Sequence, residues 1–322
     1  MRARPLKPTV RHEPQRVHAG AVDIRRAEEG DRPAMAAFAA RLQERPDAHV
    51  AYLDVEAGAL AEEMIADDDD WTAVTALASD GDRLVGWLMG SVDVDLGRVW
   101  WFGPFVDAPM LDDWIDLVDA LYASCVGLLP DDVSDEEFAP DARFTRLVRW
   151  AISQGFVRDA DSAVLVLDRD VDAGGSSVGS GELAVGSVRR LDAPDETALA
   201  AMHDTMFAGT HTTASGLLAG ADDDHLRLGL EVGDRLVGYV AVERQPGGDG
   251  YIDFVGVDPE LRGRGYGERL VRAGIDALRA RGCGRISLTV REDNPAARAL
   301  YRRLGFQEER VIAALRRTAP SR

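Results

Sequence analysis

Residues Val257–Leu270 read VDPELRGRGYGERL, which sets Gly263, Gly265, Gly267, Arg262 and Arg264 between an apolar run and a helix. Backbone N–H groups at a helix N-terminus, backed by the macrodipole, bind phosphate oxygens well. Glycine serves there because a side chain would hold the backbone away from the ligand. Strand, glycine-rich loop and helix in this order describe a cradle for a diphosphate. It is not the loop of the nucleotide hydrolases, because no Gly-Lys-Ser/Thr follows. Nor does Gly263-x-Gly265-x-Gly267 carry its third glycine where a dinucleotide fingerprint requires it. Taken alone, the loop is also what a plain turn with solvated arginines looks like.

The context comes from the rest of the chain. Asp170–Glu182, DVDAGGSSVGSGE, has little to bury and the composition of a linker. The expected division is a mobile tail over 1–20, a first domain over 21–169, a linker over 170–184 and a second domain over 185–322. The halves repeat one another. GDRLVGWLMGSV (Gly81–Val92) and GDRLVGYVAVER (Gly233–Arg244) begin with the same six residues. Both halves open on a β-like run with two arginines before an Ala-rich helix, VDIRRAEEGDRPAMAAF and GSVRRLDAPDETALAAM. Both close a helix on Gly-Phe, at Gly155-Phe156 and Gly305-Phe306.

In the second half the pattern predicts a hairpin of Leu226–Glu231 with Leu236–Glu243 around Gly-Asp, then a strand Tyr251–Val257. A helix from about Gly267 to Arg281 follows, with Leu270, Val271, Gly274, Ala277 and Leu278 as its buried stripe. Next come a strand Ile286–Val290, a helix capped by Asn294 with Pro295 in its first turn, and a last strand over roughly 306–315. The fold class expected is α/β (α+β), two tandem domains, each a mixed, mostly antiparallel sheet flanked by helices.

Arg262-x-x-Gly265-x-Gly267 after FVGVDPEL, followed by LTVREDNPAARALYRRLGF, closely resembles the GCN5-related N-acetyltransferase (GNAT) superfamily. The matching residues of the later segment are Asn294, Ala297, Leu300, Tyr301, Gly305 and Phe306, and the resemblance spans about Gly186–Arg317. It implies that the loop binds the pyrophosphate of acetyl-coenzyme A. It also implies that strands Tyr251–Val257 and Ile286–Val290 splay, so that the pantetheine arm bonds the backbone of Val255 and Val257. The cofactor site so implied comprises Val255, Gly256, Val257, Arg262, Gly263, Arg264, Gly265, Tyr266, Gly267 and Asn294, with no metal. Tyr301 stands where such enzymes commonly place the tyrosine that protonates the departing sulfur, and a backbone N–H near Val255 would stabilise the oxyanion. Where the family often has a glutamate base, this chain has Tyr251. Alternation puts Tyr251, Asp253, Val255 and Val257 on one face, which leaves Asp253 and Glu243 as candidate bases. His203 and His211 fall where substrate-contacting helices are expected, although surface positions are the commoner case for histidine.

The first half lacks the loop, for WWFGPFVDAP runs directly into MLDDWIDLVDALY, and Ala151 holds the place of Tyr301. It reads as a degenerate copy without cofactor binding, its Trp100, Trp101 and Phe102 serving as core, interface or channel wall. The function expected is acetyl-CoA-dependent acetylation of a small-molecule amine in the second domain. The alternatives are a mycothiol-synthase-like enzyme, whose family carries a glutamate in place of Tyr251, and a non-catalytic acetyl-CoA sensor or scaffold.

The 322 residues hold 37 basic and 56 acidic side chains, a net charge of −19, with Lys7 the one lysine. That balance disfavours nucleic acid as a partner and mildly favours a cationic one. No apolar run reaches the roughly 20 residues needed to span a bilayer, and the tail lacks a signal peptide's apolar core. Cys125 and Cys283 are too few for a disulfide framework. A cytoplasmic protein is expected, monomer or homodimer.

Overall fold

The computed structural model describes residues 18–19, 22–66, 70–94, 96–169, 186–207, 210 and 212–318. The chain forms two units, each with its own sheet. Along the chain come β1 (His18–Ala19), β2 (Val22–Arg26), α1 (Arg32–Gln43), α2 (Ala57–Ala66), β3 (Thr75–Asp80), β4 (Arg83–Asp93), β5 (Arg98–Val106) and α3 (Leu111–Val126). Then follow β6 (Asp135–Phe138), α4 (Thr145–Ser153), β7 (Val157–Arg158), β8 (Ser162–Asp168), β9 (Gly186–Arg190), α5 (Glu196–Met206) and α6 (Ala214–Ala219). The rest is β10 (His225–Val232), β11 (Arg235–Arg244), β12 (Gly250–Val257), α7 (Tyr266–Ala280), β13 (Arg285–Arg291), α8 (Pro295–Arg303), β14 (Gln307–Ile312) and β15 (Leu315–Thr318).

The repeats seen in sequence fold alike. Arg25 forks onto Asp31 at 2.7 and 2.6 Å, and Arg189 onto Asp195 at 2.8 and 2.6 Å. Each aspartate also accepts from a backbone N–H three residues earlier, closing the turn that starts the helix. Gly81 and Gly233 turn the matching hairpins with φ of 59° and 63°. At the closing helices Phe156 N–H donates to the Ala151 carbonyl at 3.0 Å and Phe306 N–H to that of Tyr301 at 3.1 Å. Ala151 and Tyr301 are therefore structural equivalents.

The strands do not divide as the chain does. Unit 1 has the order β1-β2-β3-β4-β5-β6-β15-β7 and unit 2 the order β14-β8-β13-β12-β11-β10-β9. Compared with domains over 21–169 and 185–322, Ser162–Asp168 lies in the second sheet and Leu315–Thr318 in the first. The strand expected over 306–315 breaks after Ile312, and its continuation as β15 pairs with β6. Segment 170–184, read as a linker, lies outside the described residues, as does most of the tail.

A buried polar cluster fastens β15. Glu136 accepts from Arg317 Nε at 3.1 Å, from Trp101 Nε1 at 3.0 Å and from the Tyr122 hydroxyl at 2.5 Å. Arg317 also donates to the Gln154 carbonyl at 2.8 Å. Around it the rings of Trp101, Tyr122, Phe138, Trp150 and Phe156 pack with centroids 5.2–6.4 Å apart. Trp101 is thus core. Burial first, and then Glu136, pushes the Tyr122 phenol far up.

In unit 2 the sheet separates two apolar layers. Leu270, Val271, Ile275 and Leu278 of α7 cover one face together with Val240, Val242, Ile252 and Leu288. Gly274 lets α7 close on the sheet, since a Cβ there would stand 2.9 Å from Val242. Leu199, Met202, Ala214 and Leu217 of α5 and α6 cover the other face with Tyr239, Ala241 and Phe254. Both cysteines are buried and free.

All six tryptophans belong to unit 1, so their fluorescence reports on that unit. Breaking a buried ion pair strands the remaining charge, and Arg317 is about a quarter exposed. Arg317→Ala should therefore lower stability by roughly 2–4 kcal/mol. Urea unfolding followed by tryptophan emission checks this; an unmoved midpoint would show that the cluster does not hold β15.

Candidate active site

Strand β12 pairs with β13 in parallel at Gly250–Ile286, Tyr251–Ser287 and Ile252–Leu288, and then the two part. Along its other edge β12 stays paired with β11 to Val257. Past Ile252, therefore, one edge of β12 leaves the β13 ladder, and the sheet parts at a place where an amide-bearing ligand could be added as a strand is.

The register slips at this point. Ala241 faces Phe254 but Val242 faces Ile252, which makes Asp253 the extra residue of a β-bulge. A bulge reverses the alternation of the strand. Ile252 packs with the α7 layer, whereas Phe254, two residues on, packs with α5 and α6. Val255 and Val257 return to the α7 side. Tyr251 stands opposite Glu243 and donates to Thr289 Oγ1 at 3.2 Å, on the α5/α6 side. The expectation that Tyr251, Asp253, Val255 and Val257 share one face is corrected by the bulge. A Cβ on Gly256 would strike the Tyr239 ring at 2.5 Å, again on the α5/α6 side.

The loop after β12 makes one 3-10 turn at Pro259–Leu261 and enters α7 through Gly263 (φ 77°) and Gly265 (φ 81°). Gly265 is the N-cap in the left-handed region, where any other residue would be strained. Arg264 and the two glycines are exposed. Arg262 folds back, giving its Nε to the Val257 carbonyl at 3.2 Å and a second nitrogen to the Met206 sulfur at 3.3 Å. Tyr266 turns its ring into the core, 3% exposed, so only its backbone faces the loop. Glu268 in the first turn is held by Arg272 at 3.1 Å. Asn294 caps α8 by accepting from Ala297 N–H at 3.2 Å.

Tyr301 projects from α8 into the α7 layer, 8% exposed, with its ring 5.8 Å from that of Phe306. Burial pushes its phenol up to about 12, so the hydroxyl keeps its proton at neutral pH. Tyr301 and the carboxylates of Asp253 and Glu243 belong to opposite layers of the sheet.

On the α5/α6 side His203 is fully buried, and not at the surface as expected. Its Nε2–H donates to the Thr212 carbonyl at 3.1 Å, so in the neutral ring Nδ1 accepts from the Tyr239 hydroxyl at 2.6 Å. Phe254 and Phe207 pack edge-on and tilted against it. Burial first, then Asp253 and Asp204, holds the Tyr239 phenol well above its ordinary range. His211 lies outside the described residues. Arg227 is buried although its place between Leu226 and Leu228 in an alternating strand reads as solvent-facing, so the sequence carries no sign of it.

Residues 192–306 match the family model described as Acetyltransferase (GNAT) family. The second unit is a GNAT-family domain. Mycothiol acetyltransferase of Clavibacter michiganensis is 35% identical to the chain over 145 residues, 42% of this chain and 46% of that protein. N-alpha-acetyltransferase RimI of Mycobacterium tuberculosis is 46% identical over 83 residues, 25% of this chain and 51% of that one. The chain thus spans about half the length of these curated relatives. A GCN5-related N-acetyltransferase from Sphaerobacter thermophilus superposes on 94% of this chain and 97% of its own, with TM-score 0.72 at 19% identity. A tandem GNAT protein from the clavulanic acid biosynthesis pathway gives TM-score 0.59 over 76% of this chain and 82% of its own, also at 19% identity. Both carry the tandem fold argument alone. Among the described residues no group of His, Cys, Asp or Glu is arranged to hold a metal ion, and no helix is long and apolar enough to cross a membrane.

His203→Ala should remove two hydrogen bonds and leave a cavity beneath Phe254, costing roughly 2–4 kcal/mol. Thermal unfolding checks this. A variant that melted normally while losing all activity would mark His203 as a chemical participant and not a brace.

Proposed function

We propose that the second unit transfers the acetyl group of acetyl-CoA to the amine of a small molecule. The observation that carries this reading is the parting of β12 and β13 beyond Ile252–Leu288, followed in the chain by the glycine loop that opens α7. The residues present fit the cofactor. Gly263 has open space around it, Gly265 holds a backbone conformation that favours glycine, and the N–H groups of the first turn of α7 are available to a diphosphate.

Bound there, acetyl-CoA would supply the acyl group as an activated thioester. The backbone of Gly263–Gly267 would hold its diphosphate, with Arg264 adding charge. The Val255 backbone would take the pantetheine amide, while the Val257 carbonyl is shared with Arg262. Asn294 serves first as helix cap. Tyr301, protonated through burial, would give its proton to the departing sulfur. Asp253 would take a proton through a water from the acceptor's ammonium, freeing the neutral amine to attack, since the bulge sets it where the strands part; Glu243 is the second candidate. A backbone N–H near Val255 would stabilise the developing oxyanion.

A second reading, a mycothiol-acetyltransferase-like enzyme, is favoured by relatives of that name. Tyr251, where that resemblance expects glutamate, is the residue against it. In unit 1 four residues, Asp107–Met110, join β5 to α3, against eight, Asp258–Gly265, between β12 and α7. This supports the reading of unit 1 as a copy without cofactor binding.

Gly265→Asp should abolish acetyl-CoA binding in calorimetry, because strain, bulk and negative charge all meet the phosphates; normal binding would refute the cradle. Tyr301→Phe should slow thiol release, in a screen of primary amines, by roughly 10²–10⁴ with cofactor affinity unchanged. Full turnover in that variant would remove Tyr301 from the chemistry.

A further inference from the structure

One buried cation lies on the acceptor side of the sheet, and the chemistry above leaves it unused. Arg227 of β10 is 7% exposed. Its Nε donates to the Leu217 carbonyl at 3.1 Å, and its Nη1 to those of Leu226 and Val242 at 3.2 and 3.3 Å. These ties cross from α6 to β11 and fix the guanidinium plane. Main-chain carbonyls are neutral, so they satisfy hydrogen bonds and leave the positive charge to be balanced by something else.

The register shows what balances it. Arg227 faces Ala241, and Ala241 faces Phe254 next to the bulged Asp253. Arg227, Ala241 and Phe254 thus form a row across three strands, with the smallest side chain in the middle, and the bulge sets Asp253 next to the end of that row on the α5/α6 side. Two strand spacings, roughly 10 Å, separate β10 from β12, most of which a long arginine stem covers. Glu243 lies two residues along β11 from Ala241, on the same side. Burial first draws the Arg227 guanidinium below its ordinary range, and the nearby carboxylates of Asp253, Glu243 and Asp222 act against it.

We propose that Arg227 is the positioning residue of the acceptor site, a pinned guanidinium that fixes the Asp253 carboxylate toward the gap where β12 and β13 part. The proposal rests on Asp253 acting as base in acetyl transfer. The bulge brings Asp253 to the α5/α6 side; the cation under α6 then decides the direction of its carboxylate. Arginine suits this task better than lysine, because its planar fork holds three carbonyls and still presents a charge to a carboxylate.

The test is a mutant cycle on the full chain with Arg227→Met, Arg227→Lys, Asp253→Asn and the Met/Asn double variant. Arg227→Met should lower kcat by roughly ten- to a hundred-fold, with acetyl-CoA affinity unchanged and acceptor KM moving less than kcat. Arg227→Lys, which keeps the charge and folds more readily, should recover part of the loss. In the Asp253→Asn background Arg227→Met should cost less than about two-fold more. Crystal structures of Arg227→Met and Arg227→Lys should show the Asp253 carboxylate turned or split between conformers, a result independent of turnover. Multiplicative losses in the double variant would overturn the proposal, and so would an Asp253 carboxylate unmoved in the variant crystals. Absence of thiol release by the wild-type protein with every amine would instead sink acetyl transfer, while the orientation of Asp253 would still decide the role of Arg227.

Discussion

The candidate site depends on one constraint: β12 and β13 run in parallel for three residue pairs and then separate. A sheet that stays closed satisfies its own backbone and offers an amide-bearing ligand nothing. Here β12 keeps its partner on one side and gives up the other, so the gap is framed by rigid elements and not by a loop. The bulge at Asp253 belongs to the same event. It reverses the pleat at the point of parting, turning Phe254 toward α5 and α6 and returning Val255 and Val257 to α7. Tyr301 thereby stands in one layer and the carboxylates of Asp253 and Glu243 in the other.

Unit 1 shows what the same plan becomes without the loop. Its β5 and β6 also pair only as far as Trp101–Phe138. Close to that point stand five aromatic rings and the Glu136–Arg317 pair, where unit 2 has smaller aliphatic side chains and Tyr301. The turn into α3 is four residues shorter than its counterpart and contains no glycine. Duplication preserved the architecture to the level of individual contacts, such as the Arg-Asp forks that start both first helices. The glycine loop and the tyrosine of the second copy have no counterpart in the first, where Ala151 stands in place of Tyr301.

Much of this was legible in the residues. Short turn chemistry and period gave the order of elements in unit 2, because Gly-Asp, Gly-Phe and Asn-Pro mark their ends unambiguously. The loop and Tyr301 stood out for the same reason: their chemistry is local. What the sequence hid was non-local. A bulge is one extra residue against a partner strand, so alternation read along β12 alone misplaced Tyr251 relative to Val255. His203 reads as a surface residue because nothing in the chain announces its contact with Tyr239, and Arg227 stands at a regular polar position between Leu226 and Leu228, which reads as a solvent-facing side. The pairing of β15 with β6 joins residues some 180 positions apart, 181 between Glu136 and Arg317, and local pattern carries no sign of it.

That exchange of strands has an evolutionary consequence. Ser162–Asp168 is an inner strand of the second sheet and Leu315–Thr318 an inner strand of the first. Once two ancestral copies had traded these segments, deleting either one would have torn a strand from the heart of the survivor. Each copy would then persist as an obligate structural donor, whatever it binds, held in the genome by its neighbour's need for a complete sheet.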